Sequence, residues 1–93
     1  MRSYELVFIV NPDLDETALT EVINRVKGWI VDDGGEVTQI DLWGKRRLAY
    51  PIRKQNEGHY VLFKANMAPQ FGITLERNLR FLEPVLRFLT VAE

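Results

Sequence analysis

Residues 36–67 read EVTQIDLWGKRRLAYPIRKQNEGHYVLFKANM, and the fold turns on how this stretch is parsed. From Glu36 to about Arg53 the residue types favour strand: Val37, Thr38, Ile40, Leu42 and Trp43, then Leu48, Tyr50 and Ile52. Gly44 interrupts the run, and a glycine within a strand commonly marks a bulge that bends and twists it. Pro51 has no amide hydrogen to give to a ladder, so this strand belongs at a sheet edge, at least around the proline. The polar run Lys54-Gln55-Asn56-Glu57-Gly58 predicts the turn, and His59 to Met67 the returning strand. In the return, Val61, Phe63, Ala65 and Met67 share one face, and Tyr60, Leu62 and Lys64 the other. The stretch is a long antiparallel hairpin.

Upstream, residues 3–10 are rich in β-branched and aromatic types and stop at Asn11-Pro12-Asp13, a strand running into a turn. Tyr4, Leu6, Phe8 and Val10 fall on one of its faces. A helix follows, because Leu19, Val22, Ile23, Val26 and Ile30 recur at helical spacing. Asp13 or Asp15 can cap it, and Asp13 with Glu16 three residues on resembles a capping box. Gly34-Gly35 supplies a left-handed stop, and Trp29 lies at the stripe's edge as a packing residue. Downstream, Ala68-Pro69 opens a second helix with Leu75, Leu79 and Leu82 as its stripe and Arg77 and Arg80 outward. Gly72 near its start costs about 1 kcal/mol relative to alanine, so the first turn is expected to fray. Glu83-Pro84 ends the helix and Val85 to Val91 forms the last strand.

The order is β-α-β-β-α-β in a single domain spanning 1–93. That is the α+β, ferredoxin-like split arrangement, a four-stranded antiparallel sheet with two helices on one face. Right-handed crossovers put the first and third strands inside and the second and fourth at the edges. The other face stays open and should be polar unless something binds there.

Bulk properties narrow the function. With 46% hydrophobic and 11% aromatic residues the chain can build one core, which argues against disorder. Its longest apolar run, Leu6 to Val10, is far short of the roughly 20 residues of a membrane span. Met1 to Glu5 lack the apolar stretch of a secretory signal, and there is no cysteine, so a reducing, cytoplasmic setting is expected. The net charge of -1 conceals a segregation. Residues 11–41 carry eight acids against Arg25 and Lys27, whereas residues 42–64 carry Lys45, Arg46, Arg47, Arg53, Lys54 and Lys64 against Glu57. One surface is thus made for an anionic partner and another kept from it, unless the hairpin is merely solvated.

No enzyme signature is present. A single histidine, His59, at the mouth of the hairpin, and the absence of cysteine leave no Cys/His pair and no multi-histidine metal cluster. Asp13, Asp15 and Glu16 suit capping and the helix dipole better than a cation, and no metal or cofactor is expected. The informative segment is Gly44 to Lys54, with five basic residues, a tyrosine and no acid. Adjacent strand residues point to opposite faces, so Arg46 and Arg47 cannot both serve one surface unless the bulge re-aims them. A guanidinium suits phosphate or carboxylate, and a tyrosine ring can stack on a base or pack on a protein partner.

Arg2-x-Tyr4-Glu5, the Asn11-Pro12 turn, Gly44-x-Arg46-Arg47-Leu48-Ala49-Tyr50-Pro51-Ile52-x-Lys54 and Gly58 before an aromatic strand resemble the pattern of the bacterial small-subunit ribosomal protein six family. The resemblance covers about residues 2–91. It implies a structural component of the small ribosomal subunit, binding the central domain of the small-subunit ribosomal RNA together with ribosomal protein eighteen. By the same resemblance, Arg2, Tyr4, Arg47, Lys54 and Arg87 are candidates for RNA contact. Arg46, Leu48, Tyr50, Tyr60 and Leu62 are candidates for the protein partner, although Tyr4 and Leu48 also suit plain core packing. The competing reading is a ferredoxin-like regulatory domain that binds a small molecule and dimerises through an apolar open sheet. A small acyl-phosphate hydrolase would need a glycine-rich anion cradle, which the Asn11-Pro12-Asp13 turn lacks.

Overall fold

The structure, a computed structural model, describes all residues 1–93. The elements follow as β1 (Arg2–Val10), α1 (Glu16–Asp32), β2 (Glu36–Ile52), β3 (Gln55–Met67), α2 (Phe71–Phe81) and β4 (Val85–Ala92). The strands lie in the order β2-β3-β1-β4, every neighbouring pair antiparallel, with β1 and β3 inside as the crossovers require. Pro51 accordingly sits on an edge strand.

Strand alternation builds the core. Leu6, Phe8 and Val10 of β1 stand opposite Phe63, Val61 and His59 of β3, so the apolar sets of both inner strands fall on one side. Val22, Ile23, Val26 and Ile30 from α1 and Phe71, Leu75 and Leu79 from α2 close over them. The Phe8 and Phe63 rings meet edge to face with centroids 5.4 Å apart. No polar or charged residue is buried. A fully buried phenylalanine such as Phe8 contributes on the order of 3–5 kcal/mol against truncation to alanine.

The termini of the elements correct several expectations. Asp15 alone caps α1, accepting the Ala18 amide at 2.8 Å. The Asp13–Glu16 capping box does not form, because the Asp13 amide is held by Asn11 Oδ1 at 2.9 Å in a local Asx turn. Gly34, at φ +86, supplies the left-handed stop. The second helix begins at Phe71 rather than at Ala68: the Phe71 and Gly72 amides bond the Ala68 and Pro69 carbonyls in a turn before it. Phe71 therefore joins the buried stripe, and Leu82 packs just beyond the helix end. Trp29 is half-buried against the core, as its marginal position predicts.

The hairpin turn is also displaced. Ile52 pairs with Gln55, so the connection is Arg53-Lys54, both at positive φ (49° and 67°), and residues 55–58 belong to β3. Two-residue hairpin turns favour this left-handed pair because its twist matches the strands, but Arg-Lys lacks the usual Asn-Gly signature. His59 consequently lies within β3, opposite Val10 and Lys45, not at the hairpin's mouth.

The capping assignment separates two neighbouring acids. Asp15→Ala should cost about 1 kcal/mol in urea unfolding, and Asp13→Ala should leave the midpoint nearly unchanged. Equal losses at both positions would restore the capping box.

Candidate protein and RNA interface

β2 and β3 outrun the sheet to which they belong. The rung Lys45, His59 and Val10 is the last that β2, β3 and β1 share. Beyond it Arg46 pairs with Gly58 and Arg47 with Glu57, and then Leu48 to Pro51 oppose Asn56 alone before Ile52 meets Gln55. The extra length on the edge strand bends the overhang. Arg53 Nη1 donates to the Glu83 carbonyl at 3.0 Å, and Arg87 Cζ lies 5.5 Å from the centre of the Tyr50 ring. β4 is the far edge of the sheet from β2, so these contacts require the hairpin tip to fold across the ends of β3 and β1. Gly58 permits the approach, since a Cβ there would run into Ile9 Cγ2 and press on the Val10 carbonyl.

A second bulge shapes the open face. Leu42 pairs with Val61 and Gly44 with Tyr60, which leaves Trp43 as the extra residue and Gly44 at φ +83. Trp43 stacks on Tyr60 (6.2 Å, 13° between planes), and Arg46 lies over Trp43 at 5.4 Å. Val7, Ile9, Phe88 and Leu89, with Arg87, line a depression of about 220 Å³. Leu62 is buried nearby, whereas Leu89 is 62% and Trp43 41% exposed. The other end of the same face is polar, with Ser3 donating to Asn66 and Glu5 paired to Lys64 at 3.7 Å. An apolar middle on an open antiparallel sheet marks a docking surface.

The candidate residues divide by position. Arg46, Tyr50, Tyr60 and Leu62 gather on the open face, and Arg87, placed with the RNA set from sequence, lies among them. Leu48 is half-buried in the bulged overhang. Arg47, one residue on from Arg46, is turned the other way and lines a polar notch with Asn56 and Glu57. Lys54 is exposed at the tip, where its neighbour Arg53 holds Glu83. Arg2 is exposed at the opposite end of β1, roughly 26 Å from Val10. Tyr4 packs half-buried against the core. No three His, Asp or Glu side chains converge as a metal site. Sequence reasoning missed Trp43 as a site residue, although an aromatic beside a bulge glycine was visible. It also missed Arg53, whose bond to a distant carbonyl has no local signal.

Comparison with known proteins bears on the family and the fold. A family model described as Ribosomal protein S6 matches residues 3–92. The chain is similar to small ribosomal subunit protein bS6 of Clostridium novyi, 50% identical over 93 residues, covering 98% of this chain and 96% of that one. It is 48% identical over 91 residues to the protein of the same name from Caldanaerobacter subterraneus, covering 98% and 96%. Among solved structures, 30S ribosomal protein S6 from Thermotoga maritima superimposes with a TM-score of 0.93 at 30% identity, over 99% of this chain and 87% of that one.

The contact at Gly58 tests the folded-over hairpin. Gly58→Ala should destabilise the protein by about 1–3 kcal/mol through overpacking against Ile9. At roughly 4–8 °C per kcal/mol, calorimetry would record a clearly lowered Tm, and an unchanged Tm would place β3 farther from β1.

Proposed function

This chain belongs to the ribosomal protein S6 family, a non-enzymatic family of the small ribosomal subunit, and from that premise we propose that it binds the central domain of small-subunit ribosomal RNA jointly with ribosomal protein eighteen. The observation that carries this reading is the division of the hairpin into two chemistries. Its open side offers Trp43, Tyr60, Leu62 and Tyr50 beside an apolar depression, a surface for protein. Its overhang exposes Arg47 and Lys54 to solvent, a surface for phosphate.

On this reading Arg47 and Lys54 contact RNA from the overhang, while Arg46, Tyr50, Tyr60, Leu62 and Arg87 face the protein partner. Leu48 supports the bulge from a half-buried position. Arg2 can reach RNA only at the far end of β1, and Tyr4 serves the core more than a ligand. The metabolite-binding alternative also calls for an apolar sheet face, but it gives no use to the basic overhang.

A titration against a central-domain RNA fragment, with and without ribosomal protein eighteen and at two salt concentrations, tests the proposal. Tight, salt-sensitive binding that needs the partner is expected, and a folded chain that binds in neither condition would defeat it. Lys54→Ala should weaken RNA binding and lower the salt slope by about one, on the duplex-DNA calibration. Arg47→Lys should be costly where the contact is bidentate.

A further inference from the structure

The basic stretch 42–64 holds six lysines and arginines and a single acid, Glu57. Strand pairing sets Glu57 directly across from Arg47 on the overhang. Opposite charges facing each other across two strands ordinarily pair. These do not: the one ion pair in the molecule joins Lys64 and Glu5, and no side-chain hydrogen bond engages Arg47 or Glu57. Instead Arg47, Asn56 and Glu57, all exposed, line a notch of about 380 Å³ with no apolar residue in its wall. By strand alternation Glu57 falls on the side of Val61 and Phe63, and Arg47 on the side of Lys45. The notch therefore opens away from the face that carries Trp43, Tyr60 and Arg46.

An ionised carboxylate can only accept hydrogen bonds, and so can the phosphates that Arg47 and Lys54 attract. Set among those bases, Glu57 opposes RNA binding unless it meets donors. RNA offers donors on its base edges, which are open to side chains where the base is unpaired. Guanine presents two neighbouring N–H groups, N1–H and N2–H, on its Watson–Crick edge, a match for the two oxygens of one carboxylate. We propose that the notch holds an unpaired guanine of the RNA, with N1–H and N2–H donating to the Glu57 carboxylate. The Asn56 amide donates to guanine O6, and Arg47 takes the phosphate beside that base. On the reading that the overhang binds RNA, Glu57 is the residue that selects sequence, while Arg47 and Lys54 supply charge.

The test titrates the intact chain, with ribosomal protein eighteen present, against the central-domain RNA fragment. Glu57→Gln removes a negative charge from a phosphate-binding surface, so a carboxylate that is only solvated there predicts tighter binding. The guanine contact predicts the reverse: affinity falls about tenfold and the salt slope stays near wild type. Arg47→Gln should instead lower that slope by about one, on the duplex-DNA calibration. Fragments with unpaired guanines replaced one at a time by inosine, which lacks the 2-amino group, locate the base. One such fragment should bind the wild-type chain more weakly and cost Glu57→Gln no further affinity. Unfolding curves establish that each variant is folded. Unchanged or tighter binding by Glu57→Gln, or no effect of inosine at any position, would overturn the guanine site and leave RNA binding standing. A loss already seen with ribosomal protein eighteen alone would assign Glu57 to that basic partner and overturn it as well. Failure of the unaltered chain to bind RNA with the partner present would overturn the proposed joint binding, and this inference with it.

Discussion

Two helices can cover only one face of a four-stranded sheet. The apolar sets of β1 and β3 are therefore sealed on one side by α1 and α2, and the reverse side must find its own cover. Ile9 is nonetheless only 9% exposed, without any helix above it. Its cover comes from within the sheet. The long hairpin folds its tip across the strand ends, and Gly58 lets β3 settle against Ile9. What this self-cover does not reach, Leu89, Val91 and Trp43, remains exposed as an apolar strip. The binding surface is the part of the sheet that the chain cannot cover itself.

Most of the architecture was legible because period and punctuation agree. Val22, Ile23, Val26 and Ile30 keep a helical period up to Gly34, and Val61 to Met67 keep a strand period. The bulge at Gly44 and the edge position of Pro51 were readable for the same reason: each residue has a backbone limit that few environments satisfy. The turn at Arg53-Lys54 was not legible, since two cationic residues at positive φ carry no local preference for it. There the strand pairing and the Arg53–Glu83 bond prevail over propensity, at a cost of order 1–3 kcal/mol for each residue held in a sparse region. The true cap of α1 was hidden too, because Asp13 and Asp15 are chemically alike and only the Asx turn at Asn11 separates them.

The site was legible in type and less so in arrangement. Strand alternation by itself separates Arg46 from Arg47. It cannot bring Arg87 to Tyr50, because they lie on opposite edge strands and meet only through the curl of the overhang. Trp43 escaped notice for a related reason. The bulge gives Gly44 the pairing with Tyr60 and leaves Trp43 beside it as the extra residue, stacked on the ring.

The charges complete the same division of labour. Twelve basic and thirteen acidic residues yield one ion pair, between half-exposed partners, and no charged group is buried. An exposed pair of this kind adds at most about 1 kcal/mol, so folding stability rests on the core and its caps. The remaining charges are partly held apart by topology: Asp13, Asp15, Glu16, Glu21, Asp32 and Asp33 gather around α1, and Lys45, Arg46, Arg47, Arg53 and Lys54 collect along the hairpin from Gly44 to its tip. Nothing in the fold neutralises Arg46 or Arg87, and the rings beneath them restrain their position without quenching their charge. A molecule arranged in this way keeps its electrostatic free energy for association, where a complementary partner can offset the self-repulsion of the basic surface. The near-neutral net charge is thus the sum of two opposed surfaces, and only the basic one is set against an anionic partner.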